Sequence, residues 1–159
     1  MYEVLSIGEA LMDFIPVNPD AERLEAAEGG RITIPQFEEN VGGSPANVAC
    51  ALAKLGVKTG FIGKVGDDPF GRTVKGVLER SGVDIRNLIL DGAYRTPVAL
   101  VHHSPEGKRF TFYRNGQTAD THFEEEEIDD SIFADCKVFN FSSFPLTSEP
   151  SRSTILNAV

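Results

Sequence analysis

The chain has 159 residues, of which 24 are acidic and 15 basic, giving a net charge of −9. That length allows one ordinary domain with a real hydrophobic core, and the acidic balance excludes phosphate-backbone binding, and so nucleic acid, as a main activity. Cys50 and Cys136 lie in apolar stretches with no metal-ligand spacing, which predicts two buried thiols and no disulfide framework; without a basic leader or a membrane-length apolar run, the expected compartment is the cytoplasm.

Val4-Leu5-Ser6-Ile7 running into Gly8-Glu9 predicts a short apolar strand that ends in glycine, the usual first element of an α/β unit. Asp13 follows within the apolar run 11–16. A lone carboxylate there must face outward or find a partner. Residues 18–31 are polar and rich in Glu, Ala and Gly, which predicts a loop joining short strands at 12–16 and 32–37.

Val41-Gly42-Gly43-Ser44-Pro45-Ala46-Asn47-Val48-Ala49 opens an apolar helix. Ser44 is the expected N-cap, Pro45 suits the first helical position, and Gly56 stops the helix. Asn47 and Lys54 are seven residues apart and share one face, which must meet water or a ligand. Gly42 and Gly43 let a ligand approach the backbone closely, and Asn47 beside them either completes the loop's own hydrogen bonds or binds that ligand.

A glycine-threaded strand at 59–66 precedes a helix at 69–80, capped by Asp68 and stopped by Gly82. Strand and helix alternate, so the expected sheet is parallel and doubly wound. Gly63-Lys64 is not a P-loop, because Lys58 and Val65 stand where that motif needs glycine and a hydroxyl residue. No Gly-x-Gly-x-x-Gly follows a strand either. Residues 97–114 predict a hairpin turning at Ser104-Pro105-Glu106-Gly107. If His103 pairs with Lys108, then Ala99, Val101, Phe110, Phe112 and Arg114 share one face, with Val98, Leu100 and Tyr113 on the other. Both faces are partly apolar, which fits a flap over a ligand on one side and a partner on the other. The acidic run 124–130 reads as a solvated surface loop or helix entry, with a metal site as the second reading. A buried strand at 137–141 and a helix opening at Ser148-Glu149-Pro150 complete the pattern. Asn157-Ala158-Val159 carries no stop signal, so the chain is expected to end inside an element.

Gly42-Gly43-Ser44-Pro45-Ala46-Asn47-Val48-Ala49 with Gly56 and Gly66 resembles the first signature of the ribokinase-like carbohydrate kinases. The likeness extends through Gly8-Glu9-Ala10-Leu11-Met12-Asp13-Phe14, residues 63–71 and Arg95-Thr96-Pro97. Phe112-Tyr113-Arg114 and Glu149-Pro150-Ser151-Arg152-Ser153 look most like the fructokinase branch. The resemblance covers essentially all of this chain but only about the first half of such a kinase. It implies an α/β fold with a doubly wound, mainly parallel Rossmann-like sheet, incomplete here, and a small β lid. Residues 1–159 would be the N-terminal part of one kinase domain, with lid segments at about 12–16, 32–37 and 97–114. Implied sugar ligands are Asp13, Gly42, Gly43 and Asn47, with Phe112 and Arg114 closing over the sugar from the lid. The implied reaction transfers a phosphoryl group from ATP, with Mg²⁺, to a primary hydroxyl of fructose, in a homodimer clasped through the lid. The family's Gly-Ala-Gly-Asp motif, which holds the catalytic base and anion hole, is absent from this sequence. No catalytic residue is therefore assigned, the base is expected beyond Val159, and the chain alone is expected to be inactive. Two alternatives stay open: a kinase for a keto-deoxy sugar acid, held by Arg114, and a sugar-binding or dimerising module without chemistry.

Overall fold

The structure, a computed structural model, describes residues 2–17, 36–104, 106–114, 116–134 and 136–158. Among the described residues, eight strands and three α-helices follow in the order β1 (Tyr2–Ile7), β2 (Leu11–Pro16), β3 (Phe37–Gly42), α1 (Ser44–Lys54), β4 (Thr59–Gly66), α2 (Pro69–Arg80), β5 (Asp84–Asp91), β6 (Val98–Ser104), β7 (Gly107–Tyr113), β8 (Cys136–Phe141) and α3 (Ser151–Ala158). They build a parallel sheet of order β5-β4-β1-β8 and a mixed sheet of order β3-β2-β6-β7. The α/β class, the parallel core and the separate lid sheet follow the expectation.

Alternation along the central strands sorts the core into two layers. Phe61 and Val65 of β4 face Ala46 and Ala49 of α1 and Val74 and Leu78 of α2, while Ile7 and Ile62 face Ile155 of α3 and Phe123 on the opposite side. From β1 the chain reaches β4 by way of α1 on one face. On β1's other flank, β8 leads into α3 on the other face. The winding therefore reverses between β1 and β8, and a crevice opens outside their carboxyl ends, the place where open α/β sheets bind ligands.

The lid sheet is built as the alternation requires. β2 pairs antiparallel with β3 and parallel with β6, and β6 pairs with β7 in the register His103↔Lys108 that the hairpin reading used. Pro105, central to the expected turn, lies outside the described residues, as do 32–35 of the strand expected at 32–37. The observed strand runs over Phe37–Gly42 instead. Its exposed Glu38, Glu39 and Asn40 suit a sheet edge, where charge deters further pairing, and they hide the strand from a hydrophobicity pattern. Val159 also lies outside the described residues, so the expected ending inside an element, like the expected place of the base beyond it, stays an expectation; α3 is described as far as Ala158.

Two buried charges fix the lid and the far layer to the core. Asp68 caps α2 by accepting from the Gly71 N–H at 2.9 Å, and it also accepts from the Thr96 N–H and hydroxyl, both at 2.9 Å, just before β6 begins. Lys64 in β4 pairs with Asp91 and Glu127, each at 2.8 Å, so the acidic run is anchored at Glu127. Cys50 and Cys136 are free and half-buried, not fully buried as expected, because β8 is an edge strand and Cys50 lies at the margin of α1's packed face. Among the described residues no helix is long and apolar enough to cross a membrane.

Candidate functional site

A cleft of about 620 Å³ lies at the crevice between β1 and β8. Its floor comes from Glu9, Leu11 and Asp13, its helical wall from Gly43, Ser44, Asn47 and Val48, its lid side from Phe110 and Phe112, and its far wall from Ser142, Ser143 and Phe144. Four chain segments distant in sequence converge here, and the strand order is what brings the carboxyl ends of β1 and β8 together.

Asp13 sits on β2 between Asn40 of β3 and Ala99 of β6. It is half-buried, its oxygens have no hydrogen-bond partner among the described residues, and burial pushes its carboxyl above the usual carboxylate range. A desolvated carboxylate of this kind gains from each donor that reaches it. The carboxylate occupies the space that a side chain at position 42 would need: a Cβ on Gly42 would lie 2.1 Å from Asp13 Oδ2. Gly42, expected to approach the ligand, is buried and does not line the cleft, because the Asp13 carboxylate stands over it, whereas Gly43 does line it. Gly43 has φ +101°, and a Cβ there would meet the Glu9 carbonyl oxygen at 2.4 Å. Each glycine thus makes room for a neighbour that shapes the cleft.

Gly43, not Ser44, is the N-cap of α1, and it offers no side chain to the helix end. The carboxylate of Glu9 does that work from the β1–β2 turn, accepting from the Ser44 N–H at 3.0 Å. Local sequence cannot show this, since the cap residue comes from another element. Asn47 is exposed in the first turn, and its side-chain amide, without a partner among the described residues, opens on the cleft.

Phe112 lines the cleft, with Ala99 opposite it in the lid register and its ring 5.0 Å from that of Phe144. Arg114 does not line the cleft. Its side chain is 6% exposed, pairs through Nε with the buried Asp120, donates through Nη1 to Thr147 Oγ1 at 2.9 Å, and lies over the Phe144 ring at 4.3 Å. Nη2 is buried without a hydrogen-bond partner among the described residues. Strand alternation placed Arg114 beside Phe112, but the chain leaves the strand at Tyr113 and turns the guanidinium toward Asp120.

Glu9, Ser142 and Phe144 were not singled out from sequence. The one signal for Glu9 is its place directly after the glycine that ends β1. Ser142 and Phe144 could have been found only by knowing that β8 lies next to β1. Among the described residues no three His, Cys, Asp or Glu side chains converge to hold a metal ion.

The pfkB family carbohydrate kinase model matches residues 1–159. The chain is 41% identical over 157 residues to "Fructokinase-2" of Zea mays, covering 98% of this chain and 44% of that protein. Among solved structures, an uncharacterized sugar kinase from Pyrococcus horikoshii in complex with ATP matches with a TM-score of 0.82 and 33% identity, over 97% of this chain and 47% of that one. The fructokinase of Halothermothrix orenii matches with a TM-score of 0.81 and 30% identity, over 98% of this chain and 51% of that one. This chain therefore spans about half the length of the relatives it matches.

Proposed function

Because this chain belongs to the pfkB family of carbohydrate kinases, we propose that it provides the sugar-binding cleft and lid of an ATP-dependent kinase whose acceptor is a neutral sugar, fructose foremost. The observation that carries the reading is the pair of unpartnered polar groups, Asp13 and Asn47, facing a half-apolar cleft at the reversal point of the sheet. A polyol meets both needs of such a site. Its hydroxyls donate to the desolvated Asp13 carboxylate and exchange hydrogen bonds with the Asn47 amide, while its carbon face packs on Phe112 and Phe144.

Charge favours a neutral sugar over a sugar acid. Among the described residues the lining holds two carboxylates, Glu9 and Asp13, and no Lys or Arg, and the charge of Arg114 is balanced by Asp120. The sugar-acid reading retains one support: Arg114 Nη2 has no hydrogen-bond partner among the described residues, although the guanidinium lies outside the cleft lining. Arg114→Ala separates the two: a loss much greater for a keto-deoxy sugar acid than for fructose favours the acid.

Phosphoryl transfer relies on positioning and electrostatics, and here Asp13, Asn47 and the lid would orient the acceptor hydroxyl while the closed lid excludes water. ATP is the proposed phosphoryl donor, and the base that takes the hydroxyl proton is proposed to lie in sequence that would follow Val159 in a chain of the relatives' length. Mg²⁺ is proposed to come to the reaction on the nucleotide's phosphates, as is usual for that ion. Spending ATP, with both cysteines free, fits the cytoplasm. The outer lid face carries Tyr113 at 57% exposure, and we take it as the surface where two lids clasp in a homodimer. Calorimetric titration of fructose into the chain tests the central claim. Binding that disappears in Asp13→Asn and Asn47→Ala supports it, and absence of binding to the folded native chain removes it.

A further inference from the structure

We infer that Glu9 is a positioning residue that fixes the far wall of the cleft, including the aromatic ring on which the lid closes; its bearing on sugar affinity rests on the reading above. Glu9 is 3% exposed, although it lies at the floor of a cleft. Both its oxygens are already engaged. Oε1 accepts from the Ser44 N–H at the start of α1 at 3.0 Å, and Oε2 accepts from the Ser142 hydroxyl at 2.6 Å, just beyond β8. Asp13, on the same floor, has neither bond. The two carboxylates are thus distinct in kind: Asp13 is available to a ligand, whereas Glu9 holds protein to protein.

What Glu9 holds is the turn after β8. The Ser142 hydroxyl that donates to Glu9 also accepts from the Phe144 N–H at 3.3 Å, so the carboxylate, the hydroxyl and the Phe144 backbone form one chain of hydrogen bonds. The Phe144 ring is then placed 5.0 Å from Phe112, whose own ring stacks on Phe110 at 5.9 Å. Arg114 fixes the same segment from the other end, through Thr147 and through its face on the ring. A buried anion from the β1–β2 turn and a buried cation from the base of the lid therefore grip residues 142–147 between them. Without Glu9, the helix end loses its cap and Ser142 loses the acceptor that orients it. Both walls of the crevice then loosen at the point where α1 and the β8–α3 connection meet.

The test uses the full 159-residue chain in four forms: native, Glu9→Ala, Glu9→Gln and Ser142→Ala. Gln can still accept from Ser44 and donate to Ser142, so it preserves the grip while removing the charge. Amide hydrogen exchange is read at Phe144 by NMR, and fructose affinity by calorimetry. Expected are exchange at Phe144 at least about tenfold faster, and fructose binding about tenfold weaker, in Glu9→Ala and Ser142→Ala, with Glu9→Gln within about threefold of native in both. Ser142→Ala removes no buried charge and carries the test if Glu9→Ala does not fold. Native exchange at Phe144 in Ser142→Ala, or damage by Glu9→Gln equal to that of Glu9→Ala, overturns the inference. If the native chain takes up no fructose while the exchange pattern holds, the sugar reading falls and the role of Glu9 stands.

Discussion

Burial without a hydrogen-bond partner among the described residues makes Asp13 costly in the free chain and valuable once a hydroxyl reaches it. Asp13→Asn should therefore weaken fructose binding by about tenfold or more and at the same time raise the melting temperature of the free chain. The sign of the pH dependence follows from the raised pKa. The penalty is absent below the ordinary aspartate value, grows as pH rises from there through the raised folded value, and is full above it. The melting-temperature advantage of Asp13→Asn should accordingly be present at neutral pH and vanish on acidification. The paired glycines make a second contrast. A Cβ on Gly42 meets the tip of a side chain, Asp13 Oδ2, whereas a Cβ on Gly43 meets the Glu9 backbone at a positive φ. Gly42→Ala should chiefly displace Asp13 and reduce sugar affinity in calorimetry. Gly43→Ala should cost about 1–3 kcal/mol of stability in urea denaturation, because neither the backbone conformation nor the clash can relax.

At the scale of elements, the junction of β4, α2 and β6 depends on Asp68. Burial raises its pKa, but the hydrogen bonds from Thr96 and Gly71 outweigh burial and hold the carboxyl below its usual range. Its stabilisation is present above the ordinary aspartate value and is lost as pH falls through the lowered folded one. Asp68→Ala should cost about 1–2 kcal/mol in urea denaturation at neutral pH from the lost helix cap alone, and blunt the acid sensitivity of the native chain. Of all the elements, α2 was the most legible in sequence, because cap, first-turn proline and stop glycine are local signals: Asp68, Pro69 and Gly82 bound the observed Pro69–Arg80. The hairpin register was equally local. β5 went unread because Asp84, Arg86 and Asn87 interrupt its apolar residues, as an edge strand allows. The cap on α1 and the place of Arg114 were illegible for a different reason: Glu9 and Asp120 act across elements, and no pattern along the chain records such contacts. Asp13 and Asn47 could be noticed, since a polar residue in an apolar run is conspicuous wherever it is read.

For the molecule as a whole, the cleft holds two carboxylates of different kinds, Asp13 without a hydrogen-bond partner among the described residues and Glu9 engaged through both oxygens. A coupled assay with ATP, Mg²⁺ and fructose on this chain should show no ADP release; sugar-dependent turnover would mean that Asp13 or another group within these 159 residues serves as the base, and would overturn its expected place beyond Val159. Light scattering should give a dimer that Tyr113→Glu on the outer lid dissociates, with fructose binding retained. The central position of β1 also bears on how the chain acquires its structure. Leu5 aligns with Gly60 of β4 and with Phe139 of β8, so one flank of the strand is satisfied by segments made early in synthesis and the other only by a segment made much later. Parallel pairing across such separations is slow, because loop closure must precede the contacts that reward it. In the growing chain the β8 flank of β1 would stay unpaired until β8 is made, whereas its β4 flank can pair early.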